Sequence, residues 1–368
     1  MTTRLVDLHA TCGQSPWLDN LQRSYLTGGR LSELVRDGIR GLTSNPTIFQ
    51  KAIQGSADYD EQFSALIASG MAVREAYWEL VLSDIRGALE VFAPLYRTSD
   101  GGDGFVSVEV DPSLAEDTDG TLAAARALHE RINQPNVMIK IPATTEGVPA
   151  IRRMIDEGRS VNVTLIFSLE RYLAVAEAYI GGLEERHRRG EDLSSVASVA
   201  SFFISRVDSE VDARLVAADR GDLCGRAAIA QAVLVYDAFA HTFSSEHNPR
   251  WAVLEAAGAS VQRPLWASTS TKNPDYPDTL YVDRLIGPHT VNTLPENTLE
   301  AFAGHGTVER TIDADVSAAR DTWSLIAEAG IDMNDVSRKL ESEGVASFIR
   351  SFDDLIATLD DKARTLAT

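Results

Sequence analysis

Cysteine is nearly absent from this 368-residue chain: only Cys12 and Cys224 occur, far apart and in no CxxC spacing. That excludes a disulfide framework and a thiolate zinc site, and it makes a reducing compartment the simplest setting. Histidine does not fill the gap. The seven histidines are scattered, and His241 and His247, six apart in a polar stretch, match neither HExxH nor HxH spacing, so no metal site is expected. No apolar run reaches transmembrane length, and the N-terminal stretch MTTRLVDLHATCGQSPWLDN lacks a signal-peptide core. The expectation is a cytoplasmic protein with no membrane association. No GxGxxG or GxxxxGK[ST] opens a helix after a strand, which counts against nucleotide-binding layouts. Internal repeats and low-complexity segments are also missing.

Positive charge is scarce as well. The 34 Lys and Arg face 54 Asp and Glu for a net charge of -20, which argues against broad nucleic-acid binding or attraction to anionic membranes. An anionic ligand would need a local cationic pocket that overcomes the global field. Among the cations lysine is rare, with only Lys51, Lys140, Lys272, Lys339 and Lys362 present. The rarity directs attention to Lys140, alone in the apolar β-type run Asn136-Val-Met-Ile-Lys140-Ile-Pro-Ala. An amine nucleophile must be able to shed its proton, which arginine cannot do and a buried lysine can, so Lys140 is a candidate Schiff-base residue. The plainer alternative is a lysine at a strand end that snorkels to water.

What is present is enough for a full core: the length suits one large α/β barrel, and the apolar and charged fractions are ordinary for a globular protein. Strand candidates lie at 15–20, 39–45, 105–111, 137–141, 161–167, 196–203, 263–268 and 279–283, most of them followed by helical patterns. Such β-then-α alternation predicts parallel pairing with helical crossovers, and eight strands predict a closed (β/α)8 TIM barrel with additional helices. We expect a single barrel domain over 1–368, with a helical, acidic C-terminal extension over about 308–368.

Side chains two apart on a strand share a face, so Asn162 pairs with Thr164, Ser107 with Glu109, Met138 with Lys140, and Ser201 with Phe203. Each of these strands therefore presents a polar group near its C-terminal half, where barrel enzymes carry their chemistry. Glu109 and Asp19 are carboxylates able to relay protons around Lys140, and Arg206 and Lys272 follow consecutive strands as candidate phosphate-binding cations.

Taken together, the stretches Thr43-Ser-Asn45-Pro-Thr-Ile-Phe, Val108-Glu109-Val-Asp, Val137-Met-Ile-Lys140-Ile-Pro-Ala-Thr, Val161-Asn162-Val-Thr164-Leu-Ile-Phe-Ser, Ser201-Phe-Phe203-Ile-Ser-Arg206-Val-Asp and Lys272-Asn-Pro-Asp resemble the transaldolase family, in its long, actinobacterial-type form. The resemblance implies a cofactor-independent barrel enzyme of the pentose phosphate pathway. Such enzymes transfer a dihydroxyacetone unit from sedoheptulose 7-phosphate or fructose 6-phosphate to an aldose phosphate through a lysine Schiff base.

It further implies that Lys140 forms the Schiff base and Asp19 is the acid/base at the cleaved carbon-carbon bond. Glu109 and Thr164 would hold the catalytic water. Asn45, Asn162 and Ser201 would hold hydroxyls of the three-carbon unit beside Thr43 and Phe203, and Arg206 and Lys272 would grip the phosphate. Two departures stand out: the first strand lacks the family's Asp-Thr/Ser-Gly context around Asp19, and Lys272 stands where many relatives carry arginine in a shorter loop. Two alternatives remain at this level. One is a Schiff-base aldolase releasing free dihydroxyacetone, a group whose members tend to carry tyrosine at the position of Phe203. The other is a non-catalytic sugar-phosphate binding barrel. Whether copies of the chain associate is left open.

Overall fold

The computed structural model describes residues 3–366. Eight strands, β1 (Gln14–Leu18), β2 (Gly41–Thr43), β3 (Phe105–Glu109), β4 (Val137–Pro142), β5 (Val161–Ile166), β6 (Ser198–Phe203), β7 (Arg263–Ala267) and β8 (Thr290–Leu294), close into a barrel. Every neighbouring pair is parallel, β8 on β1 included. All eight are buried along nearly their whole length, because side chains on one face fill the barrel and those on the other meet the helical ring. The (β/α)8 architecture expected from the alternation is the one observed.

The eighth strand is not the segment the pattern picked out. Thr279–Asp283 was expected to be a strand, but Leu280–Arg284 is a short helix, and the closing strand is Thr290–Leu294. The apolar, aromatic and β-branched run Leu280-Tyr-Val fits a buried helical turn as well as a strand, and Tyr281 and Val282 are buried in that turn. Periodicity cannot decide between the two over five residues. The C-terminal region differs in detail too. Helix begins at Val316 rather than near 308, in Val316–Glu328 and the long Met333–Leu366.

Parallel register turns sequence spacing into proximity. Glu109 on β3 is the Cα partner of Lys140 on β4, and Lys140 is in turn the partner of Asn162 on β5. Between β5 and β6 the register slips at Val163 to Ile166, and Leu165 there takes a positive φ of 60°. A non-glycine residue in that region marks a strained bulge.

Toward the N-terminal ends the interior is plugged by Trp17, fully buried and tilted against Phe105 with ring centroids 6.4 Å apart. Gly41 makes room for it, since a Cβ there would lie 2.4 Å from the indole. Above the opposite end runs the C-terminal helix. It is tied to the Pro46–Gln54 helix by Thr47 to Ser351 (2.8 Å) and Gln54 to Thr358 (2.8 Å), and to the loop after β5 by Ser337 donating to the Phe167 carbonyl (3.1 Å). At Gly344 it seats close to the bulge: an added Cβ would stand 3.0 Å from the Leu165 side chain. Among the described residues no helix is long and apolar enough to cross a membrane.

Candidate active site

The C-terminal ends of the strands surround a cavity of about 440 Å³. Lys140 reaches it from β4, Ser201 and Phe203 from β6, and Asp19 from the residue just past β1, while Thr43 and Asn45 come from the end of β2 and the turn beyond. Arg206, second residue of the helix that follows β6, and Lys272, in the loop after β7, complete the wall. Eight residues of the sequence-derived set thus line one cavity. Glu109, Asn162 and Thr164 lie buried on β3 and β5 beside it, the first two in register with Lys140 and Thr164 two residues further on, opposite Pro142.

Lys140 is held by two acceptors. Its Nζ stands 3.4 Å from Glu109 Oε2 and donates to the Ser44 carbonyl at 3.3 Å, and both side chains are almost fully shielded, with 6% and 2% exposure. Phe348 of the C-terminal helix presents its ring 5.9 Å from Nζ, within cation–π range. The lysine therefore does not snorkel to the surface.

Beyond the 3.4 Å ion pair with Lys140, neither carboxylate oxygen of Glu109 has a hydrogen-bond partner among the described residues, and Thr164 Oγ1 has none either. Burial pushes the Glu109 carboxyl above its ordinary value, and the nearby Lys140 ammonium only partly opposes that. Asp19 follows the same pattern. Burial raises it, while Lys140, a hydrogen bond from Thr43 and the more distant Arg206 and Lys272 pull it down less strongly. Its Oδ1 accepts from Thr43 Oγ1 at 2.7 Å, and that hydroxyl also meets Thr293 Oγ1 at 2.6 Å. A carboxyl whose affinity for its proton is raised by burial is suited to general acid–base work.

Asn162 is the centre of a ladder across three strands. Its Nδ2 donates to Ser107 Oγ at 2.9 Å and its Oδ1 accepts from Ser201 Oγ at 2.7 Å, which fixes the amide orientation. The polar positions read from two-residue alternation thus meet one another inside the barrel. Asn45 has a second duty: its Oδ1 accepts from Ile48 N at 3.0 Å and caps the Pro46–Gln54 helix, leaving the amide nitrogen free to donate.

The cations gather at the mouth. Arg206 lies over the Phe203 ring at 5.1 Å, and Lys272 donates to Ser270 Oγ at 2.7 Å. The loop that carries Lys272 is anchored where Ser205 N donates to the Ser268 carbonyl at 3.0 Å, tying β7 to the start of the Arg206 helix. Hydroxyls beside fixed cations are what a phosphate oxygen cluster requires.

Several lining residues were not anticipated. Thr293 belongs to the strand that was misplaced, and reading Thr290-Val-Asn-Thr-Leu-Pro as a strand would have put its hydroxyl on the inner face. Lys51 was already conspicuous as one of five lysines. Ser347 and Phe348 come from the C-terminal helix, and no local signal marked them.

Comparison with known proteins agrees with this geometry. The family model described as Transaldolase/Fructose-6-phosphate aldolase matches residues 16–359. The chain is 50% identical over 373 aligned residues to the transaldolase of Parafrankia sp. (strain EAN1pec), with the whole of both chains covered. It is 49% identical over 360 residues to that of Thermobifida fusca (strain YX), covering 96% of each. To the transaldolase of the more distant Trichodesmium erythraeum (strain IMS101) it is 43% identical, over 100% of this chain and 99% of the other. With a closed eight-stranded barrel, a shielded lysine paired with Glu109 on the neighbouring strand and likeness along its whole length to these enzymes, the chain belongs to the transaldolase family.

Proposed function

We propose that the chain moves a dihydroxyacetone unit from sedoheptulose 7-phosphate or fructose 6-phosphate to an aldose phosphate, with Lys140 as the Schiff-base residue, as a cytoplasmic enzyme of the pentose phosphate pathway. The observation that carries the reading is the seating of Lys140: a shielded amine 3.4 Å from Glu109 at the base of a cavity walled by Asp19 and rimmed by Arg206 and Lys272.

In this reading Nζ adds to the ketose carbonyl carbon and the carbinolamine loses water, with Glu109 and Thr164 holding the water and passing its protons. Their otherwise unpartnered polar atoms support that assignment. The resulting iminium draws electrons from the neighbouring carbon-carbon bond. Asp19 takes the proton from the hydroxyl on the far carbon, the bond breaks, and the aldose phosphate leaves.

The enamine that remains is kept from drifting by the Asn45 amide and by the Asn162 and Ser201 pair, whose mutual hydrogen bond presets both groups. When a new aldose phosphate enters, the enamine carbon attacks its aldehyde, Asp19 returns the proton to the new alkoxide, and water releases the product. Barrel and C-terminal helices act as one catalytic unit, since Phe348 and Ser347 complete the cavity wall.

The test is borohydride reduction in the presence of fructose 6-phosphate, followed by peptide mapping. The expected adduct is on Lys140, and a label on any other lysine overturns the assignment. A parallel assay for free dihydroxyacetone without acceptor separates transfer from simple cleavage: a transferase accumulates at most one equivalent per site.

A further inference from the structure

Resting on that reading, the geometry points to Lys51 as a third cationic ligand of the substrate phosphate, acting from the outer rim with Arg206 and Lys272 and favouring phosphorylated over unphosphorylated sugars. Lys51 stands on the last turn of the Pro46–Gln54 helix. Thr47 and Ile48, four and three residues before it, line the same cavity, so one face of that helix is turned to the site with Lys51 at its outer end. The capped N-terminus of the helix, at Asn45, faces the same space.

The pairing of the five lysines sets Lys51 apart. Lys140 has Glu109, Lys339 has Glu210 and Glu343, and Lys362 has Asp60. Among the described residues Lys51 and Lys272 alone form no ion pair with a carboxylate, and both line the cavity. Arg206, the third cation there, forms none either.

In a protein of net charge -20, surface ammonium groups ordinarily find acidic neighbours. Here three positive side chains converge at the mouth of a single pocket with no carboxylate in ion-pair contact, Asp19 acting on Arg206 and Lys272 only from longer range. Their repulsion is felt: after burial, Arg206 and then Lys51 are what hold the Lys272 ammonium below its ordinary value. Like charges gathered in this way repel one another, Asp19 offsets them only in part, and a phosphate group, which carries close to two negative charges at neutral pH, would relieve them further.

The test compares Lys51→Gln with wild type on two matched pairs, erythrose 4-phosphate against erythrose as acceptor and fructose 6-phosphate against fructose as donor. The quantity read is the ratio of kcat/KM for the phosphorylated sugar to that for its unphosphorylated counterpart. Loss of one rim cation should lower the ratio roughly fivefold to tenfold, mostly through KM, and raise the inhibition constant of inorganic phosphate by a similar factor. Lys51→Arg should recover most of the ratio.

An unchanged ratio in Lys51→Gln, or an equal loss on both members of each pair, overturns the inference while leaving the Schiff-base reading intact. Failure of that reading shows separately, as absence of any Lys140 adduct in the wild-type protein.

Discussion

The two ends of the barrel bury the same kinds of side chain to opposite effect. At the N-terminal end Asp103 is nearly inaccessible, yet all its needs are met. It accepts from Ser15 Oγ at 2.8 Å, from Arg40 Nε at 2.6 Å and from the Arg263 guanidinium at 3.2 Å. Burial alone would push its carboxyl up, but Arg263 and Arg40, with the hydrogen bonds from Arg40 and Ser15, outweigh it and hold the group below the ordinary range. At the other end Glu109 is just as buried and has one ammonium at 3.4 Å, and burial wins.

The opening at the N-terminal end is also the roomier, about 750 Å³ against about 440 Å³. Size therefore does not identify the site. What identifies it is a set of polar and charged groups that the described residues only partly satisfy: Glu109, whose single partner is Lys140, the unpartnered Thr164 hydroxyl, and the cations Arg206, Lys272 and Lys51, none of which forms an ion pair. In a (β/α)8 barrel the N-terminal face is where interactions serve stability, and the neutralised Asp103 cluster fits that division.

The sharpest test of the contrast is at Lys140. Lys140→Met should lower transfer by on the order of 10⁴-fold or more, because it removes the proposed Schiff-base amine while leaving Lys51 and Lys272 at the rim, and a coupled assay with the circular dichroism spectrum as a folding control measures it.

Next comes a crossed pair of substitutions. Glu109→Gln should reduce turnover about 10²-fold or more with a melting temperature close to wild type. Asp103→Ala should do the reverse, since stranding two guanidiniums beside the barrel floor costs about 3–5 kcal/mol, while KM stays near wild type. If Glu109→Gln proves the more destabilising of the two, the division between the ends is wrong.

The third test concerns pH. Asp19 and Glu109 both titrate above the ordinary carboxylate range. Asp19 must be ionised to take the hydroxyl proton, so kcat/KM should fall on acidification with a midpoint above that of a free aspartate, and Asp19→Asn should abolish this limb together with most of the rate.

The smallest effect is expected at Asp208, which lies between the extremes. It accepts from Ala228 N at 2.7 Å and Tyr281 OH at 2.8 Å but has no cation, and burial pushes it up to about 6. The folded protein then binds this proton more tightly than the unfolded chain. The resulting contribution, at most about 3 kcal/mol, is present at low pH and is lost as pH rises from about 4 to 6. Asp208→Asn should remove that slope from denaturant-derived stability curves.

How far the chain could be read depended on whether the deciding interaction was local. Asn162 with Thr164 and Ser107 with Glu109 were assigned to one face because strand geometry repeats every two residues, and parallel pairing brings them to Lys140. Leu280-Tyr-Val was misassigned because a run so short satisfies helix and strand alike, and the choice is made by what Tyr281 packs against and by its hydroxyl bond to Asp208. The helix Val73–Thr98 continues past Pro94, although proline lacks the amide of a regular turn, because its packing rather than its local sequence holds that last turn. Phe348 carries no local mark at all. It reaches Lys140 from 208 positions downstream because the C-terminal helix crosses the barrel mouth.

By itself the sequence determined the alternation of strands and helices, the polar ladder on the inner face and the single amine set among apolar neighbours, since each follows from spacings of a few residues. Only the tertiary structure decided which buried carboxylate is held low by facing cations and which is raised by burial. Arg40 and Arg263 come to Asp103 from positions far apart in the chain, whereas no arginine pairs with Glu109. The balance between desolvation and a facing charge depends on distances of a few ångströms, and those exist only once the barrel has closed.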